Sequence, residues 1–220
     1  MQTTTLLAVE AVTHDVRRFT FRRPGGFAYK TGDATELALD IEGWRDEKRP
    51  FTMTSQPEDI DLEFTIKSYP EHEGVTTRLH ALSPGDTVLI DSPFETFRYQ
   101  GPGVFIAGGA GLTPFLAILR DLRGRNALEG NHLILANKTR ADIIHAEELA
   151  SMEGLRLTHV LSEEEAEGYR HGHLDADLLR ELVPDRDRRF YLCGPPPMQK
   201  AVQEALNELG VEADSVSLSD

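Results

Sequence analysis

A small antiparallel Greek-key β-barrel followed by a Rossmann-like, doubly wound parallel sheet is the fold class that this 220-residue sequence predicts. Three observations carry it. Up to about residue 100, short alternating apolar and polar runs are separated by turn residues. From about residue 103, strand-like and helix-like stretches alternate. Between them lies Tyr99-Gln100-Gly101-Pro102-Gly103, a Gly/Pro hinge that divides the chain into domains at 1–100 and 101–220.

The elements follow in order. Phe19-Thr20-Phe21-Arg22 alternates ahead of the turn at Pro24-Gly25-Gly26, and Glu36-Leu37-Ala38-Leu39 leads to a loop at Glu42-Gly43. Asp61 to Lys67 alternates cleanly, and Thr87-Val88-Leu89-Ile90 follows the turn at Pro84-Gly85-Asp86. One short helix fits at about 75–82. The alternation by itself also suits a generic β-sandwich. In the second half, strands near 103–107, 132–136, 155–160 and 189–193 alternate with helices near 114–122, 144–150, 174–182 and 197–208. That rhythm builds βαβ units, and there is no internal repeat or low-complexity segment.

Composition narrows the function. A content of 40% hydrophobic and 27% charged residues is that of an ordinary globular protein, and no run of 18 apolar residues spans a membrane. The N-terminus has no basic region followed by an apolar run, so no secretory signal is expected. A single cysteine excludes an internal disulfide, fits a reducing, cytoplasmic setting and is too few for a cysteine-ligated iron–sulfur cluster within these residues. The formal charge of −14, from 23 basic and 37 acidic residues, repels nucleic acid. An acidic carrier protein therefore docks only on a local basic patch, for which Arg17, Arg18, Arg22 and Arg23 are candidates.

Two strand-to-helix turns carry the chemistry. Val104 to Ala107 runs into Gly108-Gly109-Ala110-Gly111-Leu112-Thr113-Pro114. Gly109 and Gly111 permit close backbone approach to a pyrophosphate, Thr113 caps the helix and Pro114 suits its first turn. Many α/β proteins turn on glycine without binding anything, so the whole segment, not one G-x-G, points to a phosphate site. The second turn is Phe190-Tyr191-Leu192-Cys193-Gly194-Pro195-Pro196-Pro197-Met198. The prolines make a stiff wall, and Gly194 leaves room for a flat ring beside the Cys193 sulfur. Against that reading stands a cysteine that simply ends a core strand.

The barrel half adds two clusters. Arg49-Pro50-Phe51-Thr52 sets a cation, an aromatic ring and a hydroxyl along an extended segment, suited to a phosphate, a ring face and a ring nitrogen. Gly74-Val75-Thr76-Thr77 opens a helix whose free N–H groups suit an anion, as does any ordinary capped helix start. His171-Gly172-His173 has no metal-ligand partner and reads as a surface turn, so no metal is expected.

Together these segments resemble the ferredoxin–NADP reductase superfamily over almost the whole chain and in the family's motif order. The resemblance implies an FAD-binding barrel and a nicotinamide-binding domain. Arg49-Pro50-Phe51-Thr52 is similar to the family's R-x-Y-S/T flavin motif, with phenylalanine in place of tyrosine. Ile66-Lys67-Ser68 matches the strand along the isoalloxazine, and Gly74 to Thr77 the pyrophosphate helix. Gly109 to Pro114 and Cys193 to Met198 match the nicotinamide motifs. The implied activity is hydride transfer from NADH or NADPH to FAD, with Thr52 and Cys193 holding the two rings. A separate redox partner, a ferredoxin, flavodoxin or oxygenase component, then receives the electrons. Other readings are a reductase of free flavins or small acceptors, and a docking subunit without turnover. FMN is a less favoured alternative to FAD, because the Gly74 helix start suits a pyrophosphate. Lys138 and Arg140 are placed to meet a 2′-phosphate, but Glu163, Glu164 and Glu165 oppose one and tilt the expectation to NADH. Relatives often end on an aromatic residue over the flavin, whereas Val216 to Asp220 carries no ring, which leaves that face open or covered from outside the chain.

Overall fold

The computed structural model of the chain describes residues 1–212 and 216–218. Its first half is an antiparallel sheet of β1 (Gln2–Ala11), β2 (Val16–Phe21), β3 (Asp33–Leu39), β4 (Arg49–Thr52), β5 (Leu62–Lys67), β6 (Thr87–Ile90) and the short β7 (Phe94–Glu95). The order is β4-β3-β6-β1-β2-β5, with β7 on β3. The sheet nearly closes into a barrel where the Thr54 N–H, just beyond β4, donates to the Glu63 carbonyl of β5 at 2.7 Å.

Period-two alternation explains which face each residue takes. Phe19 and Phe21 of β2 and Leu62, Phe64 and Ile66 of β5 fill the barrel core. Glu63, Thr65 and Lys67 point the other way, toward the second half of the molecule. Helix α1 (Val75–His80) closes the barrel with Val75 and Leu79, four residues apart on one face. The first strand begins earlier than the alternation suggests. Thr3, Thr4 and Thr5 pair with Leu89, Val88 and Thr87, consistent with the strand preference of β-branched threonine.

The second half is a fully parallel sheet of β8 (Gly103–Gly108), β9 (His132–Asn137), β10 (Arg156–Leu161), β11 (Arg170–His171), β12 (Arg189–Cys193) and β13 (Val216–Leu218). The strand order is β11-β10-β9-β8-β12-β13. Helices α2 (Thr113–Gly124) and α3 (Ala146–Ala150) cover one face, and α4 (Ala176–Leu182) and α5 (Pro196–Glu208) the other. All six residues of β8 are buried: Phe105 and Ala107 pack on the α2 side, Val104 and Ile106 on the α5 side. The segment at His171 corrects an expectation. His171 is not in a turn but pairs with Leu161 as part of β11, and only Gly172 turns, at φ +122°. The terminal residues Ser219 and Asp220 lie outside the described residues, so the expectation of an uncovered flavin face is left there.

From β8 the chain steps outward through β9, β10 and β11, then returns to β12 on the other side of β8. The carboxyl ends of β8 and β12 thus flank a topological switch point, where open α/β sheets bind ligands. The barrel packs against this edge. Phe97 meets Phe115 edge-on at 5.0 Å, the Gln56 amide donates to the Ala117 carbonyl at 3.1 Å, and Thr65 and His145 share a hydrogen bond of 3.0 Å. Among the described residues no helix is long and apolar enough to cross a membrane.

Candidate active site

A cavity of 280 Å³ opens between the barrel and the switch point. Pro50, Phe51 and Thr52 of β4 form one wall, and Ile66 and Lys67 of β5 form another. Thr76 of α1, Thr113 and Pro114 of α2, and Cys193 complete the lining with Tyr69 and Phe97. Thr52 and Cys193, 141 positions apart, therefore face one space. Its walls pair flat apolar surface with a few polar groups, which suits a large ring system.

A groove of 830 Å³ continues along Gly109, Gly111, Cys193, Gly194 and Pro195, and a further cavity of 430 Å³ is lined by Gly109, Asn137, Lys138, Ser162, Pro195 and Met198. The glycine turn does two different jobs there. At Gly109, φ is +51° and nothing lies within 4 Å of where a Cβ would sit, so the backbone there borders open space in the cleft. At Gly111, a Cβ would lie 2.5 Å from the Cys193 carbonyl oxygen. Gly111 is thus required to bring the β8 and β12 turns together.

The α2 start departs from expectation. Thr113 does not cap the helix; its hydroxyl donates back to the Ala110 carbonyl at 3.1 Å, and no side chain caps the N-terminus. The helix continues directly from a 3₁₀ turn at Gly109–Leu112, so the Thr113 N–H already donates to the Ala110 carbonyl and Pro114 has no N–H to offer. Pro195, Pro196 and Pro197 carry no N–H, so the start of α5 is an apolar wall and not an anion site. The space beside Gly194 is also not room for a ring, because a Cβ there would meet the Gly108 nitrogen at 3.1 Å and the Met198 sulfur at 3.1 Å.

Of the other expected residues Lys138 lines the groove and the 430 Å³ cavity, while Arg49, Gly74, Val75, Thr77 and Arg140 stand apart from all three spaces. Arg49 is exposed, with its guanidinium on the Lys48 carbonyl at 2.6 Å and 3.6 Å from Glu47. Gly74 precedes α1 without a side-chain cap, and Val75 is buried in the barrel core. The Thr77 hydroxyl donates to the Tyr69 carbonyl at 3.0 Å, tying the loop before α1. Lys138 pairs with Glu163 at 3.0 Å, and Arg140 with Glu164 at 2.6 Å. The acidic run thus neutralises the two cations that a 2′-phosphate would need. Three of the four arginines expected to form a docking patch are also engaged: Arg17 on the His80 carbonyl at 2.6 Å, Arg18 on Glu10 and Glu63, and Arg23 on the Phe27 and Pro57 carbonyls.

Three features were not anticipated from the sequence. Tyr69 lines both the ring cavity and the groove. Arg120 of α2 reaches across to the barrel, donating to the Thr54 carbonyl at 2.8 Å and Glu63 at 2.5 Å while it grips Glu148 of α3 with two bonds of 2.7 Å. Burial lowers the affinity of this guanidinium for its proton, but the two carboxylates outweigh it and its pKa is raised. Burial likewise favours a protonated Glu148, and the bonds from Arg120 overturn that, so Glu148 is held below the usual carboxylate range. On the rim, His14, Asp15 and Asp142 bring ligand atoms within 4.8 Å of one another, but the Lys67 ammonium already holds Asp15 at 2.8 Å.

Comparison with known proteins matches both halves. Residues 3–99 fit the oxidoreductase FAD-binding domain family, and residues 105–204 the oxidoreductase NAD-binding domain family. The NADH-cytochrome b5 reductase 2 of Mycosarcoma maydis is 26% identical over 96% of this chain and 70% of its own length. The propane 2-monooxygenase reductase component of Rhodococcus jostii is 30% identical over 97% of this chain and 61% of its own. The chain thus spans about two thirds of these relatives. A crystallised Amycolatopsis cytochrome P450 reductase superposes with a TM-score of 0.86 and 27% identity, covering 99% of this chain and 68% of that one. The open space beside Gly109 along the groove and the cavity walled by Pro50, Phe51, Ile66 and Cys193 offer close backbone approach and flat apolar surface, so the residues present fit both an FAD and a nicotinamide dinucleotide.

Proposed function

Because the chain belongs to the ferredoxin–NADP reductase superfamily of FAD- and NAD-binding oxidoreductases, we propose that it moves a hydride from NADH to FAD and hands the electrons on to a separate redox partner protein. The observation that carries this reading is that Thr52 of the barrel and Cys193 of the parallel sheet line one cavity. In this proposal residues 1–100 form the flavin half and residues 101–220 the nicotinamide half, in a cytoplasmic protein. The chemistry FAD supplies when bound is uptake of hydride and release of single electrons.

The chain's own part is binding and alignment. Pro50, Phe51 and Ile66 cover the flat faces of the flavin ring, and Thr52 offers it a hydrogen bond. Thr76 at the start of α1 lies along the same cavity for the rest of the cofactor. Arg49, Gly74, Val75 and Thr77 support this half from outside the cavity. On the other side, Gly109, Gly111, Thr113 and Pro114 shape the pyrophosphate seat. Cys193, Gly194, Pro195 and Met198 form the wall that presses the nicotinamide toward the flavin. Lys67, anchored by Asp15 at 2.8 Å, borders all three cavities and supplies positive charge beside the dinucleotide. Alignment of two rings converts a bimolecular hydride transfer into a local one, which is where these residues contribute.

The lean to NADH rests on the Lys138–Glu163 and Arg140–Glu164 pairs. A 2′-phosphate meets cations already matched by carboxylates, whereas a ribose hydroxyl does not need them. The acceptor is a carrier of the kind served by the cytochrome b5 reductases and monooxygenase reductase components among the relatives. The test is single-turnover reduction of Thr52→Val and Cys193→Ala variants that keep full flavin content. Each is expected to be slowed by about tenfold or more. Parent-like rates in both variants contradict the assignment.

A further inference from the structure

β5 ends the order of the barrel sheet, with β2 as its ladder partner on one side. Its last three residues, Thr65, Ile66 and Lys67, line the ring cavity. A strand with one ladder partner is less constrained than a strand with two, so its outward side chains decide how far it can shift. These stand two residues apart, and each is caught. Glu63 takes Arg120 of α2 at 2.5 Å, Thr65 takes His145 at 3.0 Å, and Lys67 takes Asp15 at 2.8 Å. Asp15 belongs to the barrel itself, between β1 and β2, and Glu63 lies outside the cavity lining. Of the three, only Thr65 both lines the ring cavity and bonds to the second half.

The second half strains its backbone to make that bond. His145, just ahead of α3, has φ +53° and ψ +38°, a left-handed conformation that residues other than glycine rarely adopt. Its side chain is 9% exposed, with Nε2 on the Thr65 hydroxyl and Nδ1 3.6 Å from Glu148, which Arg120 grips. Burial, with Arg120 and Arg18 adding, pushes the pKa of this ring down against the pull of Glu148 and Glu63, so it is neutral at pH 7. With its Nδ1–H toward the carboxylate, the neutral ring accepts from the Thr65 hydroxyl at Nε2.

We infer that His145 is a positioning residue for hydride transfer: by holding Thr65 it fixes the gap between the flavin wall on β5 and the nicotinamide wall at Cys193. This rests on the function proposed above, in which the hydride carries both electrons from NADH, leaving NAD⁺, to the flavin. A misplacement of about 1 Å between reacting groups costs up to about 10²-fold in rate, so a small shift of β5 is enough to matter.

The test separates side-chain reach from backbone preference. Asparagine accepts the left-handed backbone but is too short to reach Thr65, whereas glutamine is strained there but sets its amide near the position of Nε2. Flavin-loaded His145→Asn, His145→Gln and Thr65→Val are reduced with NADH in anaerobic single turnovers, each keeping full flavin content. His145→Asn and Thr65→Val are expected to lower the limiting rate by about fivefold or more, with NADH affinity within about twofold of the parent. His145→Gln recovers most of the rate, and combining His145→Asn with Thr65→Val adds no further loss. The flavin difference spectrum on binding tetrahydro-NADH, which cannot give up a hydride, shrinks and recovers in the same order. Thermal unfolding of the flavin-free proteins runs the other way, with His145→Asn at or above His145→Gln. Parent-like rates in His145→Asn or Thr65→Val overturn the proposal, as do a His145→Gln as slow as His145→Asn, additive losses in the double variant, loss of flavin with the bond, or rates that follow the unfolding midpoints. A parent whose bound flavin NADH does not reduce overturns the functional reading itself, and the proposal with it.

Discussion

Replacing Arg120 with methionine removes a guanidinium that ties three elements from two halves of the molecule. Its side chain is 13% exposed and makes four short bonds: two of 2.7 Å to Glu148, one of 2.5 Å to Glu63 and one of 2.8 Å to the Thr54 carbonyl. Methionine fills much of the volume, so the loss is electrostatic more than steric. Two carboxylates, each about a fifth exposed, are left without that cation. Breaking a fully buried pair costs about 3–5 kcal/mol, and partial access of water to the carboxylates puts the expected loss at the lower end, about 3 kcal/mol. For a chain of this size that corresponds to a fall of roughly 6–12 °C in the unfolding midpoint. Thermal unfolding followed by circular dichroism at pH 7 measures it. Adding Glu148→Gln in the Arg120→Met background is expected to cost less than Glu148→Gln alone, because its partner is already gone. An Arg120→Met midpoint within about 2 °C of the parent would refute the reasoning that this cluster fastens the barrel to the parallel sheet.

Three further outcomes follow from named contacts. Gly111→Ala places a Cβ 2.5 Å from the Cys193 carbonyl oxygen and should destabilise by roughly 1–3 kcal/mol in urea unfolding; a neutral result contradicts the close turn-to-turn packing. His132 is buried, and burial, with Arg156 and Arg188 adding, pushes its pKa down to about 4. In the unfolded chain the same imidazole takes its proton near pH 6.5, so between those values the unfolded state binds the extra proton. Stability is therefore intact above about pH 6.5 and falls by roughly 2–3 kcal/mol toward pH 4, a slope that His132→Gln should flatten in pH-dependent unfolding. Glu163→Gln combined with Glu164→Gln frees Lys138 and Arg140, and should shift the ratio of NADPH to NADH affinity upward by about tenfold in direct titration; an unmoved ratio contradicts the role of the two ion pairs.

Much of the architecture is legible locally. The alternation in Asp61 to Lys67 marks β5 because its inward residues are apolar and its outward ones polar, and the Gly108-Gly109-Ala110-Gly111 turn marks the end of β8 because few other sequences turn so tightly into a helix. Local signals also misassign cause. Gly111 and Gly194 look like ligand-facing glycines, but each gives its space to the neighbouring turn, which only the β8–β12 pairing reveals. Arg120 gives no signal because its partners lie 28 to 66 positions away. Asn137 is visible as a residue, but that its Nδ2 lacks a partner among the described residues depends on what surrounds the end of β9. Short edge pairings such as that of His171 escape notice because two residues carry no periodicity.

The central claim, that a nicotinamide and a flavin meet between Thr52 and Cys193, is tested most directly by anaerobic titration of the flavin-loaded protein with NADH and then with NADPH. The visible flavin band should bleach with near-stoichiometric NADH and need more NADPH. A bound flavin whose band neither nucleotide bleaches would contradict the account.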